Sequence, residues 1–186
     1  MKLSLLASAI ALATSVIASP PGYSSAPSQC ITQKEAEAYI KAFIGVLGQT
    51  DEHAAKTADK IIADDFVEYS NSILSLQHKT IAPGDNIAAA NKAAWTAGVL
   101  HSPKINGITT KAVIADCNHI VWKWNFLGVG SSQYPVNGYN FFTMTRKGKQ
   151  LQAQSLALEF DSIAWGLDIG EKVTYQDGVT LPAAPQ

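Results

Sequence analysis

The sequence predicts a single α+β domain in which three helices cover one face of a strongly bent antiparallel sheet. One observation is the helical spacing of apolar residues in the N-terminal half, and another is the change to alternating spacing from Thr109 onwards. The order of the elements agrees, because helices come first and four successive strands follow. The 186 residues carry a net charge of −1, so charge gives no reason to expect nucleic acid or an anionic membrane as a partner.

Residues 1–18 have the pattern of a secretory signal peptide. Lys2 supplies a positive start, Leu3 to Ile17 is almost entirely apolar or small, and Ala18 ends a small-residue cleavage pattern. The apolar run is shorter than the roughly 20 residues that span a bilayer, which makes an uncleaved anchor the weaker alternative. Residues 19–29, rich in Pro and Ser, predict a flexible leader. We therefore expect a secreted, extracellular protein that has no membrane contact after cleavage.

The first helix is the clearest local prediction. Thr32 followed by Glu35 matches a capping box, and apolar residues recur at helical spacing until Gly48. The other elements predicted before Thr109 are a helix over 51–63, a strand over 66–70, a loop over 71–85 with a strand fragment at 73–76, and an Ala-rich helix over 86–98.

Alternating residues then predict four consecutive strands. They cover residues 109–116, 119–127, 136–145 and 151–162. The C-terminal tail, residues 171–186, can add a short edge strand at 173–175 and is expected to fray at its end.

The two cysteines, Cys30 and Cys117, predict one structural disulfide. An exported protein meets an oxidising compartment, where a cysteine pair is expected to be oxidised. A reactive thiol or a metal ligand is the alternative, but there is no Cys-x-x-Cys and the four histidines are scattered. We expect neither a metal ion nor a cofactor.

Three segments together resemble a known family. Ala-Asp-Asp-Phe-Val-Glu-Tyr-Ser at 63–70, Ile-Val-Trp-Lys-Trp at 120–124 and Glu-Phe-Asp-Ser-Ile-Ala-Trp at 159–165 resemble fungal secreted members of the nuclear transport factor 2-like superfamily, which also includes SnoaL-like polyketide cyclases. The resemblance covers residues 30–170 as one domain, and both cysteines fit it. It implies a cone-shaped curved antiparallel sheet wrapped around the N-terminal helices, with a pocket between them. It implies no particular activity, because the superfamily contains several enzyme classes, carriers and protein-binding modules.

Two acidic residues inside strand-like apolar segments, Asp65 and Glu159, are the predicted catalytic pair. A buried carboxylate is costly unless it is hydrogen-bonded, protonated or used in chemistry. Asp65 can instead cap a helix end, and Asp64 replaces it if the register slips by one. Relatives place an Asp near this point as a general base, so the resemblance implies that role for Asp65. Glu159 lies in the pocket only if the small and polar residues of its strand face inward; otherwise it lies on the outer face or in a dimer surface.

Aromatic residues predict the wall of the pocket. The expected substrate-binding residues are Tyr69, Trp122, Trp124, Phe126, Tyr139 and Asn140. The predicted function is cofactor-free acid/base chemistry on a small hydrophobic molecule: dehydration, isomerisation or cyclisation. The alternative is a non-catalytic secreted module that binds a ligand or another protein. A homodimer formed through the sheet is compatible with both.

Overall fold

The computed structural model describes residues 30–84, 86–130 and 133–181, so the predicted signal peptide and leader lie outside the described residues. The helices are α1 (Gln33–Leu47), α2 (Ala54–Ile61), α3 (Asn71–Leu76), α4 (Lys92–Leu100) and α5 (Ser162–Asp168). The strands are β1 (Ile62–Tyr69), β2 (Ile87–Ala89), β3 (Ile105–Asn106), β4 (Thr109–Ala115), β5 (His119–Phe126), β6 (Gly128–Val129), β7 (Val136–Lys147), β8 (Gln150–Phe160), β9 (Val173–Thr174) and β10 (Thr180–Leu181). No helix in this part of the chain is long and apolar enough to cross a membrane.

Helix α1 begins and ends where the sequence predicts. The Thr32 hydroxyl accepts a hydrogen bond from the Glu35 backbone N–H at 3.2 Å, and the Glu35 carboxylate accepts one from the Thr32 N–H at 2.9 Å. These two bonds complete a capping box. At the other end, the Gly48 N–H donates to the carbonyl of Ile44. The helix buries one apolar face, consisting of Ala36, Tyr39, Ile40, Phe43 and Val46.

Helix α2 runs directly into strand β1. The helix predicted over 51–63 is shorter in the structure, and the strand predicted over 66–70 begins earlier. Ile62 already has extended backbone angles and pairs with Ala153 of β8. Strand pairing therefore replaces the final helical turn that apolar spacing alone predicts.

The segment after β1 is a helix, which corrects the predicted loop and its strand fragment at 73–76. The Ser70 hydroxyl caps α3 by accepting from the Ile73 N–H at 3.0 Å. The next predicted helix, over 86–98, is also partly wrong. Strand β2 comes first, and α4 begins after Asn91, whose side-chain oxygen accepts from the Ala94 N–H at 2.9 Å. Short polar caps decide both boundaries.

The main sheet has the strand order β2-β1-β8-β7-β5-β4. Strands β1 and β8 are parallel and the other neighbours are antiparallel. The four predicted strands correspond to β4, β5, β7 and β8, so the predicted α+β class is confirmed. Register shifts interrupt the pairing of β1 with β2, of β4 with β5 and of β7 with β8, and such irregularities bend a sheet.

One face of the sheet packs against the helices and the other faces solvent. On β5 and β7, alternate residues point inward and are buried, whereas Tyr139 and Phe141 point outward. The buried inward residues of the main sheet include Phe66, Glu68, Trp122, Trp124, Phe126, Asn140, Phe142 and Leu156. Most of these side chains are apolar and join those of α1 in one core.

Cys30 and Cys117 form the predicted disulfide. The bond joins the residue two positions before the α1 cap to the turn between β4 and β5, and it spans 87 residues of sequence. The first helix is therefore covalently fixed to the sheet.

The C-terminal region differs from its prediction in two ways. Strand β8 ends at Phe160, and Asp161 caps the unpredicted helix α5 by accepting from the Ala164 N–H at 3.0 Å. Strand β9 does form within the predicted 173–175 segment, but it pairs with β10 in a separate two-stranded sheet. The tail therefore adds no strand to the main sheet within the described residues.

Candidate functional site

A partly enclosed cavity of about 350 Å³ lies between the inward face of the sheet and the helices. Its volume is at the lower end of the range for small-molecule sites. Its lining is mostly apolar: Phe43, Leu47, Ile73, Leu76, Ala88, Ala89, Ala94, Trp95, Gly98, Val99, Trp124, Phe126, Leu156, Leu158, Phe160, Trp165 and Ile169. The polar members of the lining are Glu68, Gln77, Ser102 and Asn140.

The burial of the lining residues separates a floor from a mouth. Gln77, Gly98 and Ile169 line the cavity and are exposed, so the mouth lies where the end of α3, helix α4 and the end of α5 meet. Glu68 and Asn140 line the same cavity and are buried, so they belong to the floor. The floor is thus formed by the sheet and the mouth by helices.

Glu68 is the acidic group of the cavity. Its side chain is 6% exposed and points inward from β1, next to Phe66 in the alternation of that strand. Burial raises the pKa of Glu68 from its ordinary value of 4.5 to about 7, and a hydrogen bond from the Trp95 side chain opposes part of the rise. The carboxyl group can therefore be protonated or ionised near neutral pH.

Asn140 is the second polar group of the floor and is 2% exposed. Its side-chain oxygen Oδ1 accepts a hydrogen bond from the Trp124 indole Nε1–H at 2.6 Å. An indole N–H only donates, so this bond fixes which end of the amide faces Trp124. The Trp124 ring itself lies against Gly138, where an added Cβ would overlap the indole.

Aromatic rings form one wall. Trp124 and Phe126 stack with their centroids 3.9 Å apart, and Phe160 and Trp165 lie 4.7 Å apart beside them. Trp122, predicted to bind substrate, is buried outside the lining. It contacts Phe43 edge-on and donates its indole N–H to Thr110, so it supports the core.

The structure places Asp65 outside the cavity. Its side chain is exposed and accepts a hydrogen bond at 2.7 Å from Gln154 on the neighbouring strand. The expectation that this carboxylate is buried is wrong, because Asp65 falls on the outward side of the β1 alternation. It therefore cannot reach a molecule inside the cavity.

Glu159 also lies outside the cavity. Of the two orientations that the sequence allows for β8, the structure has the apolar residues Leu156 and Leu158 facing inward, so Glu159 is exposed. Its carboxylate accepts from the backbone N–H groups of Asn71 and Ser72 at 2.8 and 2.9 Å. A carboxylate at a helix start is a stabilising cap, and this explains the acid without a catalytic role.

The two predicted tyrosines lie on the outer face of the sheet. Tyr69 is 36% exposed and Tyr139 is 52% exposed, with the Lys123 Nζ 5.5 Å from the centre of the Tyr139 ring. The structure therefore brings Trp124, Phe126 and Asn140 to the cavity but not Tyr69, Tyr139 or Trp122.

The prediction passed over Glu68, although a signal for it exists in the sequence. Phe66 and Glu68 are two residues apart and share one face of a strand, so a buried Phe66 implies an inward Glu68.

Within residues 30–84, 86–130 and 133–181, no group of three His, Cys, Asp or Glu side chains is arranged to hold a metal ion.

The domain architecture matches a known family. The model of the NTF2-like domain matches residues 29–172, most of the chain, and the chain therefore belongs to the NTF2-like family. No curated protein shows significant similarity to the sequence.

Three solved structures are similar to this chain. A loop-truncation variant of IdmH is 13% identical, covers 73% of this chain and 99% of its own, and has a TM-score of 0.52. A candidate isomerase from Rhodopseudomonas palustris is 14% identical over 70% of this chain and 92% of its own, with a TM-score of 0.49. A candidate ketosteroid isomerase from Kribbella flavida is 13% identical over 69% and 78%, with a TM-score of 0.48. At 13% identity, the similarity to the IdmH variant supports the fold alone.

Proposed function

We propose that this protein is a cofactor-free enzyme that moves a proton on a small hydrophobic molecule, with Glu68 as the acid/base. The carrying observation is that Glu68 is a buried carboxyl group in the floor of an apolar cavity large enough for a ligand. A burial-raised pKa of about 7 supports the role, because general acid/base catalysis is most efficient when the catalytic pKa lies near the working pH.

Isomerisation fits this site better than dehydration or cyclisation. Glu68 is the one acidic or basic side chain among the lining residues that the structure describes. A single carboxylate can take a proton from one carbon and return it to another, which leaves the composition of the substrate unchanged. Dehydration with separate acid and base groups needs a second titratable side chain. Asp65 and Glu159 do not supply one, since both lie outside the cavity.

We also propose that the enzyme acts outside the cell, as the resemblance to fungal secreted relatives implies. The signal-like sequence at 1–18 supports secretion, and so does the disulfide between Cys30 and Cys117. The proposed partner is a small hydrophobic molecule, without nucleic acid or membrane. A homodimer through the outer sheet face remains a proposal, and light scattering of the purified protein tests it.

Proton abstraction can be tested before the natural substrate is known. We suggest 2-tetralone, a bicyclic ketone with acidic C–H groups beside its carbonyl, incubated with the protein in D₂O and followed by NMR. A carboxylate that removes such a proton and exchanges it with solvent replaces C–H by C–D. The wild type is expected to accelerate this exchange over buffer, with a rate that rises with pH and levels off above about pH 7, where Glu68 is ionised.

Three matched variants separate the carboxylates. Glu68→Gln keeps the size of the side chain but cannot ionise, and it should lower the enzymatic exchange rate by about 10²- to 10⁴-fold. Asp65→Asn and Glu159→Gln change carboxylates outside the cavity and should exchange like the wild type. Undiminished exchange in Glu68→Gln refutes the proposal. A ketone that binds without exchange indicates the non-catalytic binding module instead.

A further inference from the structure

We propose that the cavity selects uncharged molecules that carry a hydrogen-bond-accepting oxygen, such as a ketone or ester carbonyl, which the Asn140 side-chain NH₂ binds and Trp124 orients. The inference rests on the proposed function, because the molecule bound in the cavity is taken to be the substrate of the proposed enzyme. It adds the substrate class and assigns roles to two residues. Asn140 contacts the ligand, and Trp124 is a positioning residue that acts through Asn140.

The direction of the Asn140 amide carries the argument. Its oxygen is held by the Trp124 indole N–H, which cannot accept a hydrogen bond in return. Among the described residues, the Asn140 nitrogen Nδ2 makes no hydrogen bond. It is also not one of the fully buried side-chain atoms that lack a partner, so it keeps some accessible surface. Asn140 lines the cavity, so its NH₂ group is the end of the amide that a molecule in the cavity can meet.

The register of the sheet sets Asn140 and Glu68 on opposite sides of one strand. Glu68 of β1 pairs with Leu156 of β8, and Asn140 of β7 pairs with Leu158 on the other side of β8. Two strand spacings and a two-residue offset put the Cα atoms of Glu68 and Asn140 roughly 12 Å apart. A molecule resting on the two leucines therefore has a carboxyl group at one end and an amide donor at the other.

The rest of the lining limits size and charge. No Lys, Arg or His belongs to the lining among the described residues, so an anionic ligand would lose its hydration without a counter-charge. A volume of about 350 Å³ at about 30 Å³ per heavy atom, as in liquid water, holds roughly 12 heavy atoms. The expected ligand is therefore a neutral molecule of one or two rings with one carbonyl.

The test compares two ligands that differ by one oxygen, 2-tetralone and its hydrocarbon counterpart tetralin. Dissociation constants are measured by calorimetry at about pH 8.5, where Glu68 is ionised and cannot donate a hydrogen bond to the ketone. The wild type should bind the ketone about 3- to 10-fold more tightly than tetralin, as expected for one hydrogen bond. Equal affinities would overturn the inference.

Two variants test whether Asn140 and Trp124 cause the preference for the ketone over tetralin. Asn140→Asp keeps the shape and can still accept from Trp124, but as a carboxylate it has no NH₂ to offer, so the preference for the ketone should disappear. Trp124→Phe should also lower the ratio of the two affinities, whereas a purely structural loss would weaken both ligands equally. A ratio unchanged in Asn140→Asp would contradict the assignment.

A second measurement keeps the test independent of how the variants fold and of catalysis. In wild-type protein labelled with ¹⁵N, the side-chain NH₂ signals of Asn140 should shift on saturation with 2-tetralone and stay in place with tetralin. Signals that respond alike to both ligands would contradict ketone recognition. Ketone preference without proton exchange would refute the enzyme and leave the recognition in place. Proton exchange without a preference for the ketone would refute the recognition by Asn140 and leave the proposed enzyme in place.

Discussion

Replacing Glu68 by Gln is expected to stabilise the protein above neutral pH, although the residue lies in the candidate site. Glutamine has nearly the same shape, cannot ionise, and keeps an oxygen that accepts the hydrogen bond from Trp95. The wild type must either keep a proton on Glu68 or hold a carboxylate in an apolar cavity. The variant avoids both costs.

The size of the effect follows from the pKa of Glu68. The unfolded chain releases this proton near pH 4.5, whereas the folded protein retains it until about pH 7. Between these values the folded state binds more protons, so the free energy of unfolding falls as pH rises. The stability that Glu68 contributes by binding its proton more tightly in the folded protein is fully present below pH 4.5, and it is lost once the pH passes about 7. The total loss is about 3 kcal/mol.

Other carboxylates act in a different pH range and with the opposite sign. A backbone hydrogen bond from Thr32 is the largest cause of the lowering of the Glu35 pKa to about 2, and hydrogen bonds likewise lower the pKa values of Asp64 and Asp116. The stability contributed by these groups is lost as pH falls towards their lowered pKa values. Their contributions also cancel when a Glu68 variant is compared with the wild type at the same pH.

The assay is urea unfolding of wild type, Glu68→Gln and Asp65→Asn at about pH 4 and about pH 8.5. The stability of Glu68→Gln relative to the wild type should rise by about 3 kcal/mol between the two pH values. Asp65→Asn removes a solvent-exposed carboxylate from the same strand and should follow the wild type. If the difference between Glu68→Gln and the wild type is the same at both pH values, the reasoning from burial is refuted.

Four further substitutions test the disulfide, the mouth and the outer face. Cys117→Ser should lower the free energy of unfolding by about 4–5 kcal/mol, because the disulfide closes a loop of 87 residues. Urea unfolding measures this loss, and a value under about 1 kcal/mol would contradict the prediction. Gly98→Ala should stabilise α4 by about 0.5–1 kcal/mol, because an added Cβ meets no atom within 4 Å. Gly98→Trp should weaken 2-tetralone binding in calorimetry, and unchanged affinity would place the mouth elsewhere. Glu159→Ala should cost about 1 kcal/mol by uncapping α3 while the D₂O exchange rate is unchanged; a lower rate would connect Glu159 to the chemistry.

Elements with strong local signals were predictable from the sequence. Helix α1 has both a capping box and a glycine end, and strands β5 and β7 have long uninterrupted alternation. Each signal lies within the element itself, so no distant contact was needed to locate it. The NTF2-like fold was implied by the resemblance of three sequence segments to that family, and the order of these elements agrees with it.

Elements that depend on distant partners were not predictable. Helix α3 has six residues, and besides its local Ser70 cap its first two backbone N–H groups are bound by Glu159, from a strand 87 residues further along the chain. Alternation alone also left the inward face of β8 undecided, and that face determines whether Glu159 lines the cavity. Glu68 was missed for a similar reason, because Phe66 had to be known as buried before its neighbour two residues on could be placed inside.

Gly138 lets the Trp124 ring pack directly against the sheet, which holds this side of the cavity in place. Because this strand position has no side chain, the indole of Trp124 rests on the backbone of β7, two residues before Asn140. Glycine, tryptophan and asparagine are thus all held by hydrogen-bonded strands, whereas the mouth is bordered by α4 and the ends of two short helices. Related proteins could therefore change the shape of the molecules they admit by altering helices alone, while the proposed oxygen-binding position at Asn140 stays fixed by the sheet.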